Sequence, residues 1–240
     1  AIIGFLDDLI NLKKITRYFF QLVTALLILF YSDFLNTIND FEISSKLIFL
    51  ILFLIIITSI INFTNFMDGI DGLLAGSMNC AIIFIAISKN LPINYWALVG
   101  SLTAFLLYNW NPAKLFMGDV GSTYLGAIYA GLCINTNSAT ESIGILLIIF
   151  PLIADAFTCL LRRLFSKQNI FKAHSLHLYQ RLSKAGFKHS EVSLMYISLI
   201  FINGFSYFYF DLEILIYICV AEFLLGFFLD KSKAIPFKFN

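Results

Sequence analysis

Apolar residues gather along the chain into long unbroken stretches. Eight are long enough, or nearly so, to cross a bilayer as helices: residues 15–32, 44–62, 73–89, 92–108, 122–136, 142–161, 191–209 and 213–229. The yardstick is the run of about 20 apolar residues that a spanning helix needs. A membrane barrel is excluded, because its strands alternate lipid-facing and lumen-facing residues with period two and these stretches do not. The pattern predicts an all-α integral membrane protein of about eight transmembrane helices. With no internal repeat and no low-complexity linker, residues 1–240 read as a single polytopic domain.

Composition strengthens this. Hydrophobic residues make up 60% and charged residues 13%, against about a quarter charged in soluble domains. There is too little polar surface to wrap a soluble core, and mean hydropathy is +0.87. A net charge of +1 leaves no basic field for a nucleic acid. The four cysteines, Cys80, Cys133, Cys159 and Cys219, lie far apart in apolar runs and read as buried small hydrophobes. The opening Ala1-Ile2-Ile3-Gly4 has neither an initiator Met nor the marks of a signal peptide, so the sequence is expected to be the C-terminal part of a longer chain.

The placement of charge sets the expected orientation. With residues 1–14 in the cytosol, fourteen basic residues fall on that side: Lys13, Lys14, Arg17, Lys114, Arg162, Arg163, Lys167, Lys172, Arg181, Lys184, Lys188, Lys231, Lys233 and Lys238. Lys46 and Lys89 fall on the other. Basic residues concentrate in cytosolic loops, so the cytosolic segments are predicted to be 1–14, 62–72, 109–121 and 162–190. The outer loops, 31–44, 89–93, 137–141 and 210–213, are short and plain.

Four polar clusters occupy the predicted cytosolic segments. In the first, Gly4-Phe5-Leu6-Asp7-Asp8, adjacent carboxylates repel and stay ionised only near a cation or metal. The alternative is a helix N-cap ahead of the first span. The second, Asn62 to Leu73, contains Asn65 and two Asp-Gly pairs. On one helical turn Asp68 and Asp71 would share a face, and Gly69 and Gly72 permit turns and close approach of a ligand. A capped loop is the bland reading. The third, Asn109 to Ser122, ends in Gly118-Asp119-Val120-Gly121-Ser122, which opens the next span. Unpaired N–H groups at a helix start form an anion site, and Asp119 beside it would suit Mg²⁺, which takes one or two carboxylates plus phosphate and water. Phe116 would stack on a base, or serve as an ordinary interfacial residue. The fourth, Phe171 to Leu182, places His174 and His177 on one face if helical. Its rival reading is a basic amphipathic helix lying on anionic lipid. Acids, phosphate-reaching cations, Gly turns and a helix N-terminus suggest metal-assisted phosphate chemistry, and a bilayer surface suggests a lipid substrate.

These segments resemble the polyprenyl-phosphate N-acetylhexosamine-1-phosphate transferases, the glycosyltransferase family 4 type of membrane enzyme that includes phospho-N-acetylmuramoyl-pentapeptide transferase. The resemblance rests on Gly4–Asp8, Asn65–Leu73, Asn109–Ser122 and Phe171–Leu182, in the family's order. The wording looks closer to the branch that begins O-antigen or related glycans than to the peptidoglycan branch, which usually shows adjacent histidines where this chain has His174-Ser175-Leu176-His177. The resemblance implies attack by undecaprenyl phosphate on the β-phosphate of a UDP-N-acetylhexosamine, loss of UMP, and a need for Mg²⁺ (Mn²⁺ as an alternative). It implies Asp119 as the metal ligand, Asp7 and Asp8 as the pair engaging the prenyl phosphate, and His174 and His177 as phosphate or sugar contacts. Asn65, Asp68, Asp71, Asn109, Lys114, Phe116 and Arg181 fall to substrate binding, with Phe116 on the uracil. The place implied is the bacterial cytoplasmic membrane, with the active site facing the cytosol and a homodimer as one possible assembly. Two departures are visible: family members carry further helices ahead of the Asp-Asp pair, and Ser175 stands where Arg is expected.

A secondary transporter is the main rival from another class, but it would place acids and broken helices near mid-bilayer. Prenyltransferases are set aside because the spacings of Asn65, Asp68 and Asp71 do not fit theirs, and CDP-alcohol phosphotransferases because Asp68-Gly69 and Asp71-Gly72 lack the Ala-Arg that should follow. Within predicted span six, Asp155 shares a face with Arg162, so a salt link and a catalytic role are both open. Glu222 has no obvious partner. Trp96 and Trp110 read as interface anchors.

Overall fold

The computed structural model describes residues 1–10, 12–32, 42–169, 172 and 174–237. Outside them lie most of predicted outer loop 31–44, together with Phe171, Ala173 and Lys238. The helices are α1 (Ile2–Ile10), α2 (Lys14–Phe30), α3 (Ile43–Phe66), α4 (Leu73–Ser88), α5 (Ile93–Asn109), α6 (Gly118–Ile134), α7 (Ala139–Ile148), α8 (Phe150–Phe165), α9 (Leu178–Lys184), α10 (His189–Tyr209) and α11 (Leu212–Ser232). No strand occurs among the described residues.

All eight predicted stretches are helical, but the sixth is not one helix. It breaks at Ile149, where α7 and α8 meet at 79°. Pro151 stands in the first turn of α8, where its missing N–H is tolerated and its ring stops the helix continuing from upstream. Three helices, α3, α10 and α11, are long and apolar enough to cross a membrane, and the bent pair makes a fourth. The others are shorter: α2, α5 and α6 have 17 residues and α4 has 16. At about 1.5 Å per residue such helices fall short of a hydrocarbon core about 30 Å thick. Among the described residues, three or four helices are thus full spans by length and composition, and the expected eight are not confirmed. The outward faces of α3 and α11 carry exposed Ile51, Leu52, Ile55, Leu224 and Phe228, apolar surface on a scale that calls for lipid. The fold is that of an all-α membrane protein.

The helices fall into two compact units. One comprises Ala1–Asn65 with Met117–Ile143, and the other Phe66–Phe116 with Gly144–Asn240. In the first, α1 packs on α6 so closely that a Cβ at Gly4 would lie 2.5 Å from Val120 Cα and 2.6 Å from the Asp119 carbonyl. Only glycine fits there. In the second, α4 is the central helix, its residues from Leu73 to Met78 all buried. It meets α10 through Gly76 against Ile197 and Phe84 against Gly204, small residues that let the helix axes approach.

Candidate active site

In the first unit, α1, α2, α3 and α6 each contribute to one polar cluster. Arg17 of α2 bridges two carboxylates, Nη1 to Asp7 Oδ2 at 2.8 Å and Nη2 to Asp119 Oδ2 at 2.7 Å. Asp7 is buried, and its Oδ1 accepts from Leu12 N at 2.7 Å. Asn65 completes the ring. With its amide nitrogen toward Asp119 Oδ1 (3.2 Å) and Ser122 Oγ (2.7 Å), its oxygen accepts from Arg17 Nη2 at 2.9 Å; the opposite orientation sets like against like.

Asp8 does something different. Helix α6 has no capping side chain of its own at Met117. Gly118 takes a left-handed φ of +63°, turning the chain so that the next amides point at α1. Asp119 N donates to Asp8 Oδ1 at 3.0 Å and Val120 N to Asp8 Oδ2 at 3.2 Å. The helix start predicted to receive a phosphate is thus already occupied by an anion, the Asp8 carboxylate. That corrects the sequence reading: the site is real as an anion site, but its ligand is internal.

Burial pushes the Asp119 carboxyl up, and neighbouring Asp7 and Asp8 add to this against the opposing Arg17, to about 6. Arg17 pairs with the carboxylates of Asp7 and Asp119, and Asp8 stands beside them on the α6 amides. All three carboxylates are hard oxygen donors, so the residues present fit Mg²⁺.

In the second unit, the loop from Met67 to Gly72 is not helical, so Asp68 and Asp71 do not share a helix face. Asp71 is a tie point. Its Oδ2 accepts from Asn111 Nδ2 at 2.8 Å and Ala113 N at 3.2 Å, with His189 Nδ1 at 3.3 Å. Its carbonyl accepts from Ser193 Oγ at 2.7 Å. Burial would raise the Asp71 carboxyl, but the bonds from Asn111, Ala113 and His189 outweigh it and hold the group below the ordinary carboxylate value. Asn109 works in the same join, accepting from Gly72 N at 3.1 Å and donating to the Leu115 carbonyl at 2.8 Å. Both ends of its amide serve backbone. Lys114 and Phe116 are exposed beyond it.

The histidine cluster is organised by Asp155. Its Oδ1 accepts from Leu178 N at 2.7 Å, and its Oδ2 accepts from Tyr179 N at 3.1 Å and Tyr196 Oη at 2.7 Å. This carboxylate therefore caps α9 from within the fold. His177 Nδ1 lies 3.7 Å from Asp155 Oδ1. Burial alone would lower the His177 imidazole, but the neighbouring Asp155 carboxylate, aided by Cys159, pushes it up to about 9. His174 is pushed down to about 4 by burial and by the charges of His177 and Arg163. Both histidines precede α9, so they share no helix face; their rings tilt together with centroids 5.1 Å apart. Tyr179 donates to the Phe66 carbonyl at 2.9 Å and lies against Gly69.

Several expectations change accordingly. Asp155 does not pair with Arg162, which forms a two-pronged bond to Asp230 at 3.0 and 2.7 Å. Arg181 is buried, bonded to Asp230 and to the carbonyls of Ile235 (2.8 Å) and Leu176 (3.1 Å), contacts that hold the fold. Glu222 accepts from Asn203 Nδ2 at 3.0 Å. Trp110 lies over Gly72. Arg17, Asn111, His189 and Tyr196 were missed as site residues, because only the fold shows which polar neighbours meet.

Against known proteins, the model of glycosyl transferase family 4 matches residues 1–137. The chain is 37% identical over 153 residues to a phospho-N-acetylmuramoyl-pentapeptide-transferase of Listeria welshimeri, covering 55% of this chain and 47% of that protein. It is 29% identical over 222 residues to a probable undecaprenyl-phosphate N-acetylglucosaminyl 1-phosphate transferase of Bacillus subtilis, covering 85% and 60%. A Kosmotoga olearia phospho-N-acetylmuramoyl-pentapeptide-transferase is 26% identical over 229 residues, covering 85% and 72%. The chain spans about half to three quarters of the length of these relatives. With a match across more than half its residues, including the acids gathered around Arg17, the chain belongs to glycosyl transferase family 4.

Proposed function

We propose that the chain carries a phosphoglycosyl transferase activity, moving N-acetylhexosamine 1-phosphate from a UDP-sugar to undecaprenyl phosphate at the cytosolic face of the bacterial cytoplasmic membrane. The product begins a cell-surface glycan, such as O-antigen. The observation that carries this reading is the gathering of Asp7, Asp8, Asn65 and Asp119 around Arg17, within a chain of this family.

In the reaction, an oxygen of the lipid phosphate bonds to the β-phosphorus of the UDP-sugar. The bond from that phosphorus to the bridging oxygen breaks, and its electron pair leaves with UMP. Asp7 is the acid suited to engage the lipid phosphate and take its proton, since its Oδ2 partner is a flexible arginine side chain. Asp8 is committed to the backbone of α6 and keeps Asp119 in place. Asp119 and Asp7 would hold Mg²⁺ (or Mn²⁺), which when bound neutralises charge on the diphosphate. Exposed Phe116 would stack on the uracil, and exposed Lys114 would reach a phosphate. Asp68, His174 and His177 fall to the sugar-phosphate, while Asp71, Asn109 and Arg181 position the loops that carry them.

A second reading, transfer from UDP-MurNAc-pentapeptide, is favoured by the Listeria and Kosmotoga relatives' names. One experiment separates them. Membranes containing the protein are given undecaprenyl phosphate, Mg²⁺ and a panel of radiolabelled UDP-N-acetylhexosamines and UDP-MurNAc-pentapeptide. Label in the lipid fraction with released UMP, abolished by EDTA, supports the class and names the donor. No lipid label with any donor, from folded protein, refutes it.

A further inference from the structure

Cys159 differs from the other three cysteines in its company. Its sulfur and one ring nitrogen each from His174 and His177 all lie within 4.8 Å of one another. Cys159 and His177 are buried and His174 is half-buried. In a tetrahedral zinc site, with Zn–S about 2.3 Å and Zn–N about 2.0–2.1 Å, ligand atoms sit about 3.3–3.6 Å apart, so closing the cluster takes a shift of at most about 1.2–1.5 Å. His174 is the side chain free to make it, since it precedes α9 and its fixed contact is a long one, Leu176 N to Nδ1 at 3.3 Å.

One more feature points to a ligand. Buried His177 Nδ1 makes no hydrogen bond, and Asp155 Oδ1 lies 3.7 Å from it, where a carboxylate stands behind a metal-bound histidine and leaves the other ring nitrogen for the ion. The nearby cation, Arg163, donates to the carbonyls of Asn169 and Lys172.

We propose that Cys159, His174 and His177 form a binding site for a soft divalent cation, Zn²⁺ foremost, with water as a fourth ligand. One thiolate and two imidazoles select such ions over Mg²⁺, so this site is chemically separate from the oxygen-rich cluster around Arg17. Occupancy takes both histidines out of use, which would inhibit transfer. That consequence rests on the transferase reading, while binding itself does not.

The test measures binding alone. The purified chain in detergent micelles, stripped with a chelator, is titrated with Co²⁺ as a spectroscopic probe, then with Zn²⁺ against a chromophoric chelator. The expected result is one ion per chain, a thiolate-to-cobalt charge-transfer band, the strong visible bands of a tetrahedral site, and displacement by Zn²⁺ but not by excess Mg²⁺. Loss of an outer-shell partner typically costs about 10–100-fold in affinity. Cys159→Ser, which removes a ligand outright, is expected to cost at least that and to abolish the charge-transfer band. If Cys159→Ser fails to fold, His174→Gln decides, since a half-buried position tolerates the change, and its Zn²⁺ affinity should fall by a similar factor. Absence of the thiolate band in the unaltered chain overturns the proposal. So does Zn²⁺ affinity unchanged in either folded variant.

Discussion

Asp155 should be coupled energetically to Tyr196, and the size of that coupling follows from its contacts. The carboxylate receives three hydrogen bonds, from Leu178 N, Tyr179 N and Tyr196 Oη. Hydrogen bonds to a charged group are worth about 1.5–3 kcal/mol each. Asp155→Ala is too blunt a probe, because it strands three donors at about 1–3 kcal/mol apiece, a sum comparable to the whole stability of many domains. Tyr196→Phe removes one donor and little volume, so it should cost about 1.5–3 kcal/mol. Asp155→Asn keeps the shape but turns one acceptor into a donor, which sets an NH₂ against N–H or O–H and should cost about 3–6 kcal/mol. In the Asp155→Asn background the tyrosine bond goes to a neutral amide and is worth about 0.5–1.5 kcal/mol, so Tyr196→Phe should cost less there. The coupling is expected at about 1–1.5 kcal/mol, within the range for residues in contact. Reversible unfolding in mixed micelles, followed by the fluorescence of Trp96 and Trp110, provides all four corners of the cycle. A Tyr196→Phe cost that is the same in both backgrounds would refute Asp155 as the organiser of α9.

Four further outcomes are expected. Asp119→Asn should abolish sugar-phosphate transfer while the protein still inserts; turnover retained at saturating Mg²⁺ would remove it as the metal ligand. Phe116→Ala should raise the KM for the UDP-sugar more than that for the lipid, with stability changed by no more than about 0.5 kcal/mol because the ring is exposed; equal effects on both substrates would point to packing. Gly4→Ala should destabilise the first unit by about 1–3 kcal/mol or more, since its Cβ meets backbone that cannot yield; a thermal melt checks this. Asp71 has a lowered pKa in the fold, so its stabilisation is complete above the unfolded value of about 3.9 and is lost as pH falls through the folded value. The melting-temperature gap between the unaltered chain and Asp71→Asn should therefore close in strong acid, and a gap constant with pH would contradict it.

Much of this was legible in the chain. Eight apolar stretches became helices because hydrophobic length needs no tertiary information, and the acids Asp7, Asp8 and Asp119 could be singled out because adjacent charges beside a membrane segment need an explanation. Partnership was not legible. Arg17 looked like one of fourteen basic residues on one side, yet it bridges Asp7 and Asp119. Asp155 and Arg162 share a face by spacing, but α11 offers Arg162 the better partner in Asp230. The break at Ile149 had a signal, Pro151, masked by the continuity of apolar residues around it. Helix length also hid the difference between an apolar helix and one that reaches across a bilayer.

The capping of α6 by Asp8 has a consequence for biosynthesis. The two partners lie 111 residues apart, and at a synthesis rate of about 5–20 residues per second roughly 6–22 s separate their emergence from the ribosome. For that interval the Asp7–Asp8 pair must wait with α6 unmade, and α6 in turn forms with its first amides open until α1 finds it. The acid cluster is therefore a late product of translation and insertion. Changes that delay the docking of α1, Gly4→Ala among them, should lower the yield of folded protein in cells by more than their equilibrium cost implies.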